Sequence, residues 1–374
     1  MAGIYIHIPF CISKCAYCNF FSLASKSRIN EYVEVLKREI TSRSQYIGNE
    51  DVKTIYFGGG TPSLLSLNHI DEIINTLHKN FNIISSPEIT LEVNPDTIDK
   101  EKMFSLKEIG VNRISVGIQS FNDDDLRYLG RRHDARHALQ VIDDIQKVDF
   151  EKTTLDLIYG IPTLTEEKWN KNLDIFFSTN ISHLSAYALT IEPKTILGQK
   201  IEKGISRDID EDSIIRHYEI LTHRAKDNGF EHYEISNFAK KGYRSQHNSI
   251  YWSDEKYIGF GASAHSYNGY SRQWNVSNLT KYMQQAGNSG DYYEQEILSK
   301  EDKYNEYVMT SLRTSWGCDL DKIKSDYGEF YFHHFLKNID KHLRFGIMER
   351  KGNTFVLTDK GMLFADGIAS DLFI

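Results

Sequence analysis

The sequence has no excess of positive charge: over 374 residues Asp and Glu outnumber Lys and Arg by 52 to 44, and the formal net charge is −8. Proteins that track a polyanion gather cations into a stripe or run, so nucleic acid is not an expected partner. Long apolar runs are missing too. No segment approaches the roughly 20 apolar residues of a membrane-spanning helix, so no transmembrane segment is expected, while peripheral membrane contact stays open. The start, MAGIYIHIPF, lacks the basic region and long apolar core of a signal peptide, which makes the cytoplasm the expected location. There are no internal repeats, low-complexity tracts or long charge runs. Cysteine is scarce: of four, Cys11, Cys15 and Cys18 fall within eight residues. A disulfide framework would spread an even set along a short secreted chain, so this cluster points to metal or redox chemistry instead. Cys318 stands alone and reads as a buried, incidental thiol.

What is present is a composition of 40% hydrophobic and 26% charged residues, that of a folded globular chain. Its length exceeds what one core usually serves, so a large domain and a smaller one are expected. Short β-branched runs at 4–8, 54–57, 89–93, 113–117, 154–158 and 184–189 predict strands. The stretches between them, 29–42, 67–80, 100–109, 135–147 and 166–177, carry apolar residues at three- and four-residue spacing and predict helices. Alternation of this kind predicts an α/β fold with a parallel sheet. Six units suit a partial (β/α)6 barrel, although a flat doubly wound sheet reads the same way. We expect the barrel over 1–240. The aromatic, glycine- and histidine-rich segment 241–300 would pack on it, and a smaller helical, winged-helix-like module would span 301–374, with a strand pair near 346–357.

Polar residues collect just after the predicted strands: the cysteines after the first, Gly58–Ser63 after the second, Glu92 and Asn94 at the third, Gln119 after the fourth. In parallel α/β architectures that carboxyl edge is where ligands bind. CISKCAYC is C-x3-C-x2-C in one tight loop. Three thiolates so placed suit a [4Fe–4S] cubane, each taking one iron and leaving the fourth iron open. Structural zinc is the alternative, but it wants four closed ligands, and His7, the nearest candidate, alternates with Tyr5 along a strand. Gly58, Gly59 and Gly60 let backbone approach a ligand closely, or simply make a tight turn with Pro62. Glu92 ends a buried-looking strand, where a lone carboxylate needs a partner.

The cysteine loop, with Tyr17 before its last thiol, resembles the radical-SAM superfamily. YFGGGTPSLL (56–65), LEVNP (91–95), GVNRISVGIQSF (110–121), LGRRHD (129–134) and DLIYGIP (156–162) narrow the resemblance, over nearly the whole chain, to the HemN/HemW group. That group contains oxygen-independent coproporphyrinogen III oxidase and the haem chaperone HemW. The resemblance implies S-adenosylmethionine (SAM) on the open iron, with Tyr5, Tyr17, Gly60, Thr61, Glu92, Gln119, Arg131 and Asp156 as contacts. Read alone, Tyr5 is equally a core aromatic, Asp156 a turn cap, and Arg131 an ordinary helix-end arginine beside Arg132.

The two branches of the group separate elsewhere. The oxidases carry a further cysteine two residues after the third, where this chain has Phe20, and an N-terminal extension ahead of the first strand. His247, Asn248, Tyr251 and Trp252 spell H-N-x-x-Y-W, which marks the HemW branch and is linked there to haem. A neutral imidazole can ligate haem iron and aromatics can pack on the macrocycle, although Tyr251 and Trp252 suit a core equally well. His265 in GASAHSY is a second candidate. The expected function is therefore haem binding and transfer to apo-haemoproteins, with cluster and SAM in an accessory or gating role. Coproporphyrinogen III decarboxylation is the alternative, and a zinc-stabilised protein of unrelated function is a third.

Overall fold

In this computed structural model, residues 1–150, 152–288 and 291–374 are described. Six strands, β1 (Ala2–Ile8), β2 (Val52–Gly59), β3 (Ile83–Val93), β4 (Arg113–Gln119), β5 (Lys152–Tyr159) and β6 (His183–Ala188), lie side by side in chain order. Every neighbouring pair among them is parallel. The connections carry α1 (Ile29–Ser42), α2 (Leu67–Asn80), α3 (Lys100–Glu108), α4 (Asp123–Leu129), α5 (Ala135–Val148) and α6 (Glu166–Ser178). All six predicted strands are present, and α1 and α2 have the predicted bounds.

Period decides which face each residue takes. Ile4, Ile6 and Ile8 alternate along β1 and are wholly buried beneath the helices. On α1, Ile29, Tyr32, Val33, Leu36 and Ile40 recur at three- and four-residue spacing and form its buried stripe. Burying one such aliphatic side chain contributes about 1.5–3 kcal/mol. Side-chain acceptors fix the helix starts: Ser66 takes the N–H of His69, Asp99 that of Lys102, Asp134 that of His137 and Thr165 that of Lys168.

The sheet runs on past both ends of the six and does not close. After α7 (Ile196–Glu202) and α8 (Glu211–Asp227), β7 (Glu231–Glu234) and β8 (Asn237–Ala239) extend it antiparallel from β6. On the other side, following α9 (Gln246–Trp252), β9 (Lys256–Phe260) pairs parallel with β1. Then β10 (His265–Tyr267), β11 (Ser271–Asn275) and β12 (Tyr293–Ile297) continue antiparallel. Among the described residues the expected partial barrel is thus one open twelve-stranded sheet, and segment 241–300 contributes four of those strands.

A buried polar cluster ties that extension to α1. Glu39 accepts from Arg43 at 3.0 Å, from Asn275 at 2.7 Å, from the Gly261 N–H at 2.8 Å and from the Tyr282 hydroxyl. Arg43 donates in turn to Gln273 and Ser266. From Lys300 onward the chain forms helices around a small sheet of β13 (Cys318–Asp319), β14 (Met348–Lys351) and β15 (Thr354–Leu357), in line with the predicted helical module and strand pair. Among the described residues no helix is long and apolar enough to cross a membrane.

Candidate functional site

The inward face of the parallel strands is polar. Tyr5, Tyr56 and Thr90 stand in register across β1 to β3, as do Glu92 and Ser115 on β3 and β4, and Asp156 and Ser185 on β5 and β6. Above them, at the carboxyl edge, lies a cavity of about 440 Å³. Cys11, Cys15, Cys18, Tyr17, Gly60, Thr61, Glu92, Gln119, Arg131 and Asp156 all line it. Residues from four strand ends and the loop after β1 therefore meet in one place, as the sequence predicts.

The cysteine loop is pinned at both ends. Cys11 N–H donates to the Leu23 carbonyl at 2.9 Å, and Ala16 bridges the Leu129 carbonyl and the Leu197 N–H. Cys11 is buried, while Cys15 and Cys18 are half-buried. The Thr61 hydroxyl donates to Cys11 Sγ at 3.5 Å, and Arg131 Nη1 donates to Cys15 Sγ at 3.4 Å. Gly60 is fixed by this loop. A Cβ there would sit 2.7 Å from the Phe10 carbonyl oxygen and 3.0 Å from Cys11 Sγ. At Gly59, φ is +109° and a Cβ would meet the His7 ring at 2.5 Å. Protein packing thus requires both glycines, whatever the cavity holds.

Three polar groups define the cavity's electrostatics. Glu92 accepts from the Tyr56 hydroxyl at 2.8 Å and from the Gly59 N–H at 3.1 Å, while burial raises its pKa. Asp156 accepts from Ser115 at 3.1 Å; burial, with the Glu92 charge adding, pushes it up to about 7. Arg131 donates from Nη2 to Asn94 and to the Gly117 carbonyl, both at 2.6 Å, yet its buried Nε has no partner. Gln119 sits at φ +71° beside a bulge in the β4–β5 ladder, the kind of backbone strain that surrounding contacts must hold in place.

The structure also separates residues that the sequence grouped. Arg132 turns outward to Asp96, which leaves Arg131 as the cavity arginine. Tyr5 does not line the cavity. Its ring stacks on Tyr56 at 6.1 Å and its hydroxyl meets His7 Nδ1 at 3.0 Å, so it lies one layer beneath. The other nitrogen of His7 meets the Phe21 carbonyl at 2.9 Å, leaving neither free for zinc. Ser115, Asn94 and Tyr187 line the cavity and were not singled out as contacts. The alternation R-I-S-V-G over 113–117, which places Ser115 and Gly117 on one face, was the signal for Ser115.

The H-N-x-x-Y-W residues are displaced further. They form α9, which packs at the start of β1 and β2, the end of the strands opposite the cysteines. His247 is 1% exposed, with Nδ1 2.8 Å from Thr54 Oγ1 and Nε2 2.9 Å from the Tyr251 hydroxyl. Neither nitrogen is open to iron in this arrangement. Tyr251 packs edge-on against Tyr257, and Arg313 lies over the Trp252 ring. Asn248 faces a small polar cavity. His265 differs: it is exposed, and its ring stacks on Trp274 at 6.4 Å.

Three thiols on the loop after the first strand, opposite a paired set of carboxylates and one arginine, define a radical-SAM protein. The radical SAM superfamily signature matches residues 5–175, and that of the HemN C-terminal domain matches 298–364. The sequence is 34% identical to the heme chaperone HemW of Bacillus subtilis over 98% of each chain. It is 31% identical to HemW of Lactococcus lactis, over 97% of this chain and 95% of that one. Coproporphyrinogen III oxidase HemN from Escherichia coli superposes with a TM-score of 0.85 at 23% identity, covering 100% of this chain and 90% of that one. The chain belongs to the HemW family.

The residues present fit the groups that this membership implies. A cubane takes each thiolate on a separate iron, so its ligands need not converge on one point. The unpartnered Arg131 Nε suits a carboxylate, and Glu92 and Asp156 suit a cation and hydroxyl donors.

Proposed function

We propose that this protein binds haem and hands it to apo-haemoproteins in the cytoplasm. A [4Fe–4S] cluster on Cys11, Cys15 and Cys18, with SAM beside it, would serve in an accessory or gating role. When bound, these groups supply one-electron and radical chemistry. The chain's own part is to bind and orient. Thr61 and Arg131 donate to thiolates, Arg131 Nε is free for the SAM carboxylate, Glu92 is held for the amino group, and Asp156 suits ribose hydroxyls.

Phe20 carries the choice of branch. It stands 70% exposed on the cavity wall, at the position where the oxidases have a further cysteine. Likeness to haem chaperones over the full chain length supports the same reading. Of the two candidate imidazoles, His265 is the accessible one for haem contact. Engagement of His247, Asn248, Tyr251 and Trp252 would require α9 to open.

The test is an anaerobic assay of reconstituted protein with SAM, reductant and coproporphyrinogen III, beside a haem titration of the same preparation. No turnover with stoichiometric haem, and a Soret band weakened by His265→Ala, is expected. Formation of protoporphyrinogen returns the chain to oxidase chemistry.

A further inference from the structure

The motif on α9 needs a role that its burial permits. His247 presents a flat ring to the strands: it stacks on Tyr56 at 4.9 Å and 23°, and on Tyr5 at 6.4 Å and 27°. Its two nitrogens are held by Thr54 and Tyr251, so the ring cannot turn without breaking a hydrogen bond. Burial lowers its pKa to about 3, keeping the imidazole neutral, with one donor and one acceptor for those two partners. The next link is short. Tyr56, clamped against that ring, donates its hydroxyl to Glu92 at 2.8 Å, and Glu92 is a wall of the main cavity.

A second path joins the same places. Beneath the main cavity lies an enclosed polar space of about 50 Å³, bounded by Asn248 on α9 and by Glu92, Asp156 and Ser115. That is room for a bridging water. Thr90 Oγ1, also on its wall, is buried without a partner, as a water site would leave it. The start of α9 is anchored as firmly: Glu88 accepts from the N–H groups of Gln246 and His247, at 2.9 and 3.1 Å, where an anion complements a helix N-terminus.

From this chain of contacts we infer that His247 is a positioning residue for Glu92, acting through Tyr56, and that α9 sets the affinity for SAM from beneath the pocket. The inference rests on the reading that SAM occupies the main cavity.

The experiment uses full-length reconstituted protein under anaerobic conditions. SAM affinity is read by titrating the cluster's EPR signal, and haem by the Soret band, for wild type, His247→Phe, Tyr56→Phe and the double variant. Each single change is expected to weaken SAM about tenfold, and the pair by about the same tenfold, because both act on one contact. Cluster content and the Soret band are expected to stay as in wild type. Thr54→Val and Tyr251→Phe, which only release the imidazole, should weaken SAM about threefold and keep the argument testable should His247→Phe not fold. SAM affinity that is unchanged in the variants overturns the inference, and loss of the Soret band alongside it returns His247 to haem. A hundredfold, additive loss in the double variant also overturns it. Wild-type protein that binds no SAM overturns the reading of the cavity itself, a separate and recognisable failure.

Discussion

Glu39→Gln is the substitution with the largest expected effect remote from the cavity. Glu39 has no exposed surface, and its two oxygens take Arg43, Asn275, the Gly261 N–H and the Tyr282 hydroxyl. An amide in its place keeps one accepting oxygen and turns the other position into a donor. In the less costly orientation the amide N–H meets the Tyr282 hydroxyl, which can accept, and the Gly261 N–H faces another donor at roughly 1–3 kcal/mol. Arg43, 8% exposed at its side chain, loses its carboxylate partner as well. Breaking one member of a buried pair costs about 3–5 kcal/mol. Arg43 keeps neutral acceptors in Gln273 and Ser266, so we expect a loss of about 4 kcal/mol, the middle of that range. Urea unfolding measures it, with Glu72→Gln as control. Glu72 pairs with Lys37 at 2.7 Å but is 48% exposed, so its change should cost under about 1 kcal/mol. Hydrogen exchange should rise in β9 to β11 and stay slow in β2 to β5. A loss under about 1 kcal/mol, or exchange rising evenly across the sheet, refutes the claim that this cluster holds the extension.

Replacing Cys11, Cys15 or Cys18 by Ala should abolish the reconstituted cluster's absorbance; retained iron and sulfide would remove that residue as a ligand. Arg131→Met takes a cation from Cys15 Sγ and should lower the cluster's midpoint potential by about 59 mV or more, one decade for one electron; an unchanged potential would confine Arg131 to the ligand. Asp156 holds its proton up to about pH 7 in the fold. Because that value lies above the unfolded one, the group's stabilising contribution is complete below about pH 4 and is lost as pH rises through 7. Ribose hydroxyls donate more strongly to the ionised carboxylate, so SAM affinity should rise with pH by up to about tenfold per unit until 7. Asp156→Asn should flatten that slope, and a slope that survives belongs to another group.

The parallel units were legible because their signals are local. The apolar spacing in 29–42 and 67–80 marks α1 and α2 to the residue, and the cysteine spacing reads without any structure. What escaped depends on partners distant in sequence. Segment 256–275 has little regular period, and its place in the sheet comes from pairing with β1 some 250 residues earlier. The choice between Arg131 and Arg132 turns on one step of a left-handed turn at Gly130, φ +72°. Tyr5 missed the cavity by one layer, since alternation gives the face but not the depth. For His247 the motif told which residues are special, and only the hydrogen bonds of Thr54 and Tyr251 showed that both nitrogens are taken.

The position of β1 bears on how this molecule is born. It leaves the ribosome before the other strands of this sheet, yet it finishes in the middle, with β2 on one side and β9 on the other. At a synthesis rate of about 5–20 residues per second, one flank of β1 waits roughly 10–40 seconds between the emergence of β2 and that of β9. Through that interval the strand carrying the cysteine loop keeps an unpaired edge, open to wrong partners. The loop after β1 is also held by Leu129 and Leu197, which come later still than β2. The loop that carries the three cysteines therefore reaches all of these partners only once Leu197 has emerged, well after its own synthesis.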